Sequence, residues 1–411
     1  MALEELGLEE YQAFYQEVKK ASFMQDPKMA VLLEKRGYQV YYLGKRVDGK
    51  LVVATIAYTK PMFGGLYMEI NSGPISMEGV QLTDFYQELR GFAKKKGVLE
   101  LLLKPYDSYQ VFDSKGEAIS EPREDAIQGL RELGYHFDGL QTGYPGGEPD
   151  WLYVKDMEKV TQADLTKSFS SKGRQLVKKA HSFGIHLRAL TREELSIFKE
   201  ITEKTSSRRS FSDKPLDYYQ DLYDSFGSDA EFMIATLNFT EYEHQLQEEL
   251  KKVADDLSQV QKMLMESPDS AKQKRRLQEL ERQKGTIDQR ISEAEELKEQ
   301  YGEEDVVLAG SLFLYTSHET VYLFSGSYTE FNRFYAPVLL QEYAMQETLR
   351  RDLPLYNFLG IQGIFDGSDG VLRFKQNFNG FIERKMGTFR YYPSPGKYKL
   401  IQWLKKITRR G

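Results

Sequence analysis

The sequence predicts an α/β (α+β) protein of two sheet-and-helix units, with an antiparallel helical coiled-coil arm inserted into the second. Three observations predict it. A strand, strand, helix, strand order occurs twice along the chain; a charged, heptad-patterned segment interrupts the second copy; and the apolar content exceeds what one core needs.

The chain has 411 residues, more than one hydrophobic core usually spans. Hydrophobic residues make up 40% and aromatic residues 13%, with 27 Tyr and 24 Phe, which suits packed sheets and argues against disorder. There is no Cys, so a disulfide framework, a thiolate metal site and a Cys nucleophile are all excluded. The reducing cytoplasm is the default compartment. The opening MALEELGLEEYQAF has no basic segment followed by an apolar core, and no apolar run reaches the roughly 20 residues that cross a bilayer. A chain neither exported nor membrane-spanning is expected. The net charge of -6 is unevenly spread, so local basic segments matter more than the total.

In the first copy, LVVATIAYTK (51–60) and GGLYMEINSG (64–73) read as strands, residues 82–96 as a helix, and LELLLKPY (99–106) as a strand. In the second, DVVLAGSLFLYTS (305–317), ETVYLFSGS (319–327), a helix over 337–351 and LPLYNFLG (353–360) repeat the order. Between the strand EFMIATLN (231–238) and its partner at 305, Gly and aromatics become scarce and Glu, Gln, Lys and Arg dominate. Leu246, Leu250, Val253, Leu257, Val260 and Leu264 alternate spacings of four and three, a coiled-coil seam. Residues 266–270, ESPDS, turn the chain, and Leu277, Leu280, Ile287, Ile291 and Ala294 resume the seam, with Lys284 on one of its positions. The expected division is 1–155 for the first unit, with the tail 391–411 packing on it; 156–240 plus 303–390 for the second; and 241–302 for the arm.

Two basic stretches stand out. Residues 165–192 carry seven Lys or Arg and no acid, and Ser171-Lys172-Gly173-Arg174 offers flexible backbone and two cations to a phosphate, with Lys178 and Lys179 following on a helix. A solvated helix face has the same composition. Arg208 and Arg209 add a cationic pair before a Pro-started helix. From Arg384 onward there are nine basic residues and no acid, ending in a helix whose Leu400, Ile401, Trp403, Leu404 and Ile407 share a face. That face suits either an anionic membrane surface or docking on the first unit.

The sharpest local pattern is GIQGIFDGSDGVLRFKQNFNGF (360–381), a Gly-rich loop entering an aromatic strand with Lys375 beside Phe374. A lysine among apolar neighbours is costly unless it meets an anion or a developing oxyanion, although a strand lysine can also face solvent. Asp366 and Asp369 suit acid–base work or ordinary turns. The five His make no metal-ligand spacing, and there is no nucleophile elbow or phosphate-loop lysine, so no metal, no cofactor and no nucleotide hydrolysis are expected. The Gly-rich pyrophosphate turn of acyl-CoA N-acetyltransferases is also missing, which argues against CoA as acyl donor.

Five segments together resemble the FemABX family of tRNA-dependent peptidyltransferases (aminoacyltransferases), and most of all its streptococcal MurM/MurN type. They are FMQDPKMAVLLEKRGY (23–38), NSGPIS (71–76), SFSSKGRQLVKKAHSFGI (168–185), LFSGSYTEFNRFYAPVLLQEYAM (323–345) and YNFLGIQGIFDGSDGVLRFKQNF (356–378). The form of GYPGGEPDW (143–151) and FYAPVLLQEYAM is similar to the member that adds the second branch residue, usually alanine. The resemblance implies two acetyltransferase-like (GNAT-like) domains. It also implies transfer of an amino acid from aminoacyl-tRNA, alanyl-tRNA first, to the stem-peptide branch of a lipid-linked peptidoglycan precursor. The arm is similar to the tRNA-gripping arm of seryl-tRNA synthetase, with Lys272, Lys274, Arg275 and Arg276 at its tip, a cluster that ordinary solvated coiled-coil charge would also give. Donor and acceptor contacts fall by resemblance on Arg208, Phe374 and Lys375, with Tyr335 lining the same groove; Lys375 is expected to stabilise the oxyanion. Where a member acting on a soluble nucleotide-linked precursor has Lys, Tyr and Asp, this sequence has Leu33, Leu99 and Lys104. A membrane-bound acceptor would account for that departure. A first-residue Ser or Ala transferase and a non-catalytic tRNA-binding adaptor remain open alternatives.

Overall fold

In the computed structural model, which describes residues 3–209 and 213–408, two eight-stranded sheets are covered by helices. The first runs β1 (Glu4–Glu5), β2 (Gln39–Val47), β3 (Lys50–Met62), β4 (Gly65–Asn71), β6 (Val98–Lys104), β16 (Phe389–Tyr391), β8 (His136–Phe137), with β5 (Ile75–Ser76) paired to β3. The second runs β10 (His186–Ala189), β11 (Ala230–Asn238), β12 (Asp305–Tyr315), β13 (Thr320–Ser327), β14 (Leu355–Ile361), β9 (Trp151–Asp156), β15 (Phe381–Lys385), β7 (Ser108–Phe112). In each, an antiparallel hairpin (β3–β4, β12–β13) is followed by a helix and a strand parallel to its second arm (β4–β6, β13–β14). The repeated order read from the sequence is thus a repeated topology.

Side-chain alternation lets each sheet feed two cores. On β3, Ala54, Ile56 and Tyr58 face α1 (Leu8–Glu17) and α2 (Pro27–Lys35), while Val53 and Ala57 face α3 (Thr83–Lys95) and α4 (Glu124–Glu132). On β11, Met233, Ala235 and Leu237 face α5 (Ser171–His181), α10 (Ala336–Arg350) and α11 (Gly370–Lys375); Phe232 and Ile234 face α6 (Leu195–Arg209) and α7 (Leu216–Phe226). Met29 and Leu32 of α2 belong to that last core, so α2 joins the two units. Behind it, the buried Glu319 carboxylate accepts from Phe23 N–H (2.9 Å) and Asn357 Nδ2 (2.8 Å).

The chain does not divide at residue 155 as expected. Strands β7 and β9, from the first half, lie in the second sheet, and β16 returns to the first. The physical reason is pairing: β9 satisfies both its edges there, against β14 on one side and β15 on the other.

The arm consists of α8 (Phe239–Glu266) and α9 (Ala271–Tyr301), with Leu246, Val253, Leu257 and Val260 buried against Leu280, Ile287 and Ala294. Lys284 turns out of the seam to Asp288 (2.7 Å). At its base, the Arg290 guanidinium donates to Tyr242 Oη (2.9 Å) and Ser182 O (3.2 Å), fixing the arm to the end of α5. The tail helix α12 (Pro395–Thr408) seats Ile401 on Gly64, at the turn of the β3–β4 hairpin. The Ile407 side chain lies outside the described residues.

Candidate functional site

Lys375 is buried at the last residue of a short helix, not on a strand. Leu372, Lys375, Asn377 and Phe378 are buried, and the 372, 375, 378 spacing by three is helical, whereas an aromatic strand would bury every second residue. Asp369 starts that helix: its Oδ1 accepts from Val371 N (2.8 Å) and Leu372 N (3.2 Å), and its Oδ2 from Gln362 N (3.0 Å). Asp369 therefore has a capping role, and Asp366 holds Ser368 N–H (2.9 Å) in the preceding turn.

The lysine's Nζ donates to Gly360 O at 2.6 Å. That carbonyl is aimed by an irregularity in β14 between Asn357 and Gly360, where Leu359 takes φ +58° and donates its N–H to Asn357 Oδ1 (2.8 Å). Gly360 has no room for a side chain, because Pro149 Cβ and Tyr144 Cε1 would lie 2.6 and 2.7 Å from its Cβ. Burial pushes the Lys375 pKa down to about 7, opposed only by the Asp369 charge. A lysine so placed has both charge states within reach near neutrality: its ammonium form suits an oxyanion partner and its neutral form a proton acceptor. Phe374, partly buried, stacks edge-on with Phe378 (5.6 Å between centroids).

The basic helix α5 docks on this loop. Ser170 N donates to Asn377 O (3.0 Å), Asn379 Nδ2 donates to Ser168 O (2.9 Å), and Gly173 lies so close to the Asn377 carbonyl that a Cβ would overlap it. Gly173 thus serves close packing, not the backbone flexibility its surroundings suggested. Ser170 caps the helix through Gly173 N (3.0 Å), and Arg174 turns back to Phe169 O (2.7 Å) and Lys167 O (3.3 Å) while remaining exposed, as are Lys172, Lys178 and Lys179. Lys179 Nζ sits 5.0 Å from the centre of the Tyr335 ring. Tyr335 itself precedes α10 at φ +56°.

Lys375, Phe374, α5 and Tyr335 therefore form one connected region on one face of the second sheet. Arg208 stands apart: its Nη1 reaches Ser327 O (3.3 Å) at the end of β13, and its helix α6 covers the opposite face. The Arg209 side chain lies outside the described residues. At the arm's tip Lys272, Lys274, Arg275 and Arg276 are exposed, about 40 Å from the sheet at the helical rise of ~1.5 Å per residue. In the first unit, Leu99 is core, Leu33 is partly buried, and Lys104 is held between Glu69 (3.0 Å) and Glu148 (2.7 Å).

The FemAB family profile matches residues 6–406. The chain belongs to the FemAB family. It is 28% identical over 415 residues to the aminoacyltransferase FemB of Staphylococcus epidermidis, covering 99% of each chain, and 27% identical over 419 residues to the aminoacyltransferase FemA of Staphylococcus aureus, covering 100% of each. The crystal structure of FemX superposes with a TM-score of 0.76 at 20% identity, covering 98% of this chain and 100% of that one, so the fold is shared. Matched end to end by two aminoacyltransferases, this FemAB chain is assigned to that enzyme class.

Two groups in this FemAB chain escaped the sequence reading. Lys155 is buried on β9 with its Nζ 3.3 Å from Asn379 O, and burial pushes its pKa down to about 8. Its signal was a lysine inside the apolar run WLYVKD. Asp150, pushed up to about 6 by burial against the opposing pull of Lys104 and Arg384, had none, since its neighbours come from residues distant in sequence.

Proposed function

We propose that this FemAB-family enzyme transfers an amino acid, L-alanine first, from aminoacyl-tRNA to the stem-peptide branch of a lipid-linked peptidoglycan precursor. We assign it the second, MurN-like position of a dipeptide branch. The observation that carries the reading is the docking of the cationic helix α5 on the loop of the buried Lys375, which sets phosphate-attracting charge beside a lysine that titrates near neutrality. The MurM/MurN-like segments GYPGGEPDW and FYAPVLLQEYAM support the position.

The reaction is aminolysis of an ester. The acceptor amine attacks the carbonyl carbon joining the amino acid to the terminal ribose, the carbonyl oxygen becomes an oxyanion, and collapse breaks the ester C–O bond while the proton given up by the amine passes to the departing ribose oxygen, leaving an amide and a ribose hydroxyl. The ester is already activated, so the protein's task is alignment and oxyanion stabilisation. Ammonium Lys375 has two donors beyond the one given to Gly360 O, and these serve the oxyanion. Phe374 and Tyr335 are assigned to the substrate beside Lys375, Arg208 to a substrate group that reaches the opposite side of the sheet at the end of β13, and Lys172, Arg174, Lys178 and Lys179 with the arm-tip cations to tRNA phosphates. A lipid-linked acceptor places the enzyme in the cytoplasm, peripheral to the anionic inner face of the membrane.

The test is transfer of radiolabelled alanine from alanyl-tRNA to purified lipid-linked precursors with and without a first branch residue, alongside Lys375→Ala. Label only on the pre-branched acceptor, lost in Lys375→Ala with the fold intact, is expected. Label on the unbranched acceptor would reassign the enzyme to the first position, and label from seryl-tRNA would change the donor. Tight tRNA binding with no label from any small aminoacyl-tRNA would leave a tRNA-binding adaptor.

A further inference from the structure

The tail helix α12 is docked by one side and apolar on another. Ile401 is 5% exposed against Gly64, yet Leu400 is 56% and Trp403 58% exposed, and Leu404 is 37% exposed. At about 100° per residue, Leu400, Trp403 and Leu404 share one stripe, and Ile401 flanks it toward the protein. The same contact puts Phe63, 62% exposed at the tip of the β3–β4 hairpin, next to the residue on which α12 rests. Two elements far apart in sequence thus present large apolar side chains at one corner of the first unit. Lys397, Lys399 and Lys406 are exposed on the same helix, and no acidic residue follows Arg384 in the chain.

We infer that the Phe63 hairpin tip and the Leu400–Trp403–Leu404 stripe of α12 form a two-point insertion surface for an anionic lipid bilayer, which deepens the membrane contact proposed above and rests on that reading. Exposed Phe, Trp and Leu at the edge of a cationic helix match the interface between acyl chains and acidic headgroups, where apolar burial and lysine attraction add. A protein partner would have to bring acidic charge around an apolar groove, whereas an acidic bilayer supplies both over its whole surface. Among the described residues no helix is long and apolar enough to cross a membrane, so contact of this kind is reversible and in plane.

The experiment is binding of the full chain to vesicles of phosphatidylcholine alone and of phosphatidylcholine mixed equally with phosphatidylglycerol, read by co-sedimentation and by Trp fluorescence. The chain has two Trp, and Trp151 is already buried, so a blue shift on binding reports Trp403. Binding only to the anionic vesicles, with a blue shift, is expected. Phe63→Asp and Trp403→Asp should each weaken it about tenfold, and Lys397→Ser with Lys399→Ser by roughly fivefold per lysine. Ile119→Asp, an exposed apolar residue on another part of the chain, should change nothing. No vesicle binding, equal binding to both vesicle types, equal loss in Ile119→Asp, or loss in Trp403→Asp but not Phe63→Asp would overturn the two-point surface. A concentration-dependent dimer abolished by Trp403→Asp would assign the patch to a second copy instead. Vesicle binding needs no tRNA and no acceptor, so it fails or succeeds separately from the transfer reaction.

Discussion

Lys375→Met should stabilise the protein at neutral pH while abolishing transfer. In the native state burial pushes the lysine down to about 7 from its ordinary 10.5. At about 1.4 kcal/mol for each tenfold change in proton affinity, keeping it buried costs about 4 kcal/mol at pH 7. Methionine fills a similar volume without charge but leaves Gly360 O without its 2.6 Å donor, a loss of about 1–3 kcal/mol. The net expectation is a variant more stable by about 1–3 kcal/mol at pH 7. Because the folded pKa is depressed, the unfolded chain holds more protons between about 7 and 10.5, so wild-type stability rises with pH across that window. The advantage of the variant should therefore shrink to about zero near pH 9.5. Guanidinium denaturation of both proteins at the two pH values, followed by Trp151 fluorescence, measures it. A wild type at least as stable as the variant at neutral pH, or a difference that does not change with pH, would refute the burial of an unpaired lysine.

Gly173→Ala should reduce transfer by about a hundredfold, because its Cβ overlaps the Asn377 carbonyl and lies 2.8 Å from its carbon, forcing the Lys375 loop and α5 apart by a shift on the order of 1 Å. Helix propensity favours alanine by about 1 kcal/mol, so thermal unfolding should move little while activity falls; an active Gly173→Ala would show that this contact does not position the site. Replacing Lys272, Lys274, Arg275 and Arg276 together by Ser should weaken tRNA binding and lower its salt slope by up to about 0.9 per cation, with turnover at saturating tRNA unchanged. An unaltered slope in a binding titration across salt concentrations would remove the arm tip from the tRNA interface.

The arm was legible in the sequence because its signal is local. Leu246, Val253 and Leu257 are spaced by the helix itself, and burial of that row against Leu280, Ile287 and Ala294 follows wherever the two halves meet. The repeated strand, strand, helix, strand order was legible for the same reason: the apolar, β-branched and aromatic runs of β3 and β12 lie within single segments and need no distant partner to be recognised. Which sheet a strand joins is another matter. Strand β9 is a mostly apolar run that would suit the middle of either sheet, and only β14 and β15, some two hundred residues later, decide its place. The site divides along the same line. A lysine beside Phe374 marks position 375 as unusual, and seven cations mark residues 165–192. Asp369 capping the helix, the turned carbonyl of Gly360, and the fit of Gly173 on Asn377 depend on three segments meeting. Periodicity and charge act over neighbouring residues and so can be read along the chain; desolvation and close packing depend on what folding brings alongside, and only the tertiary structure supplies that.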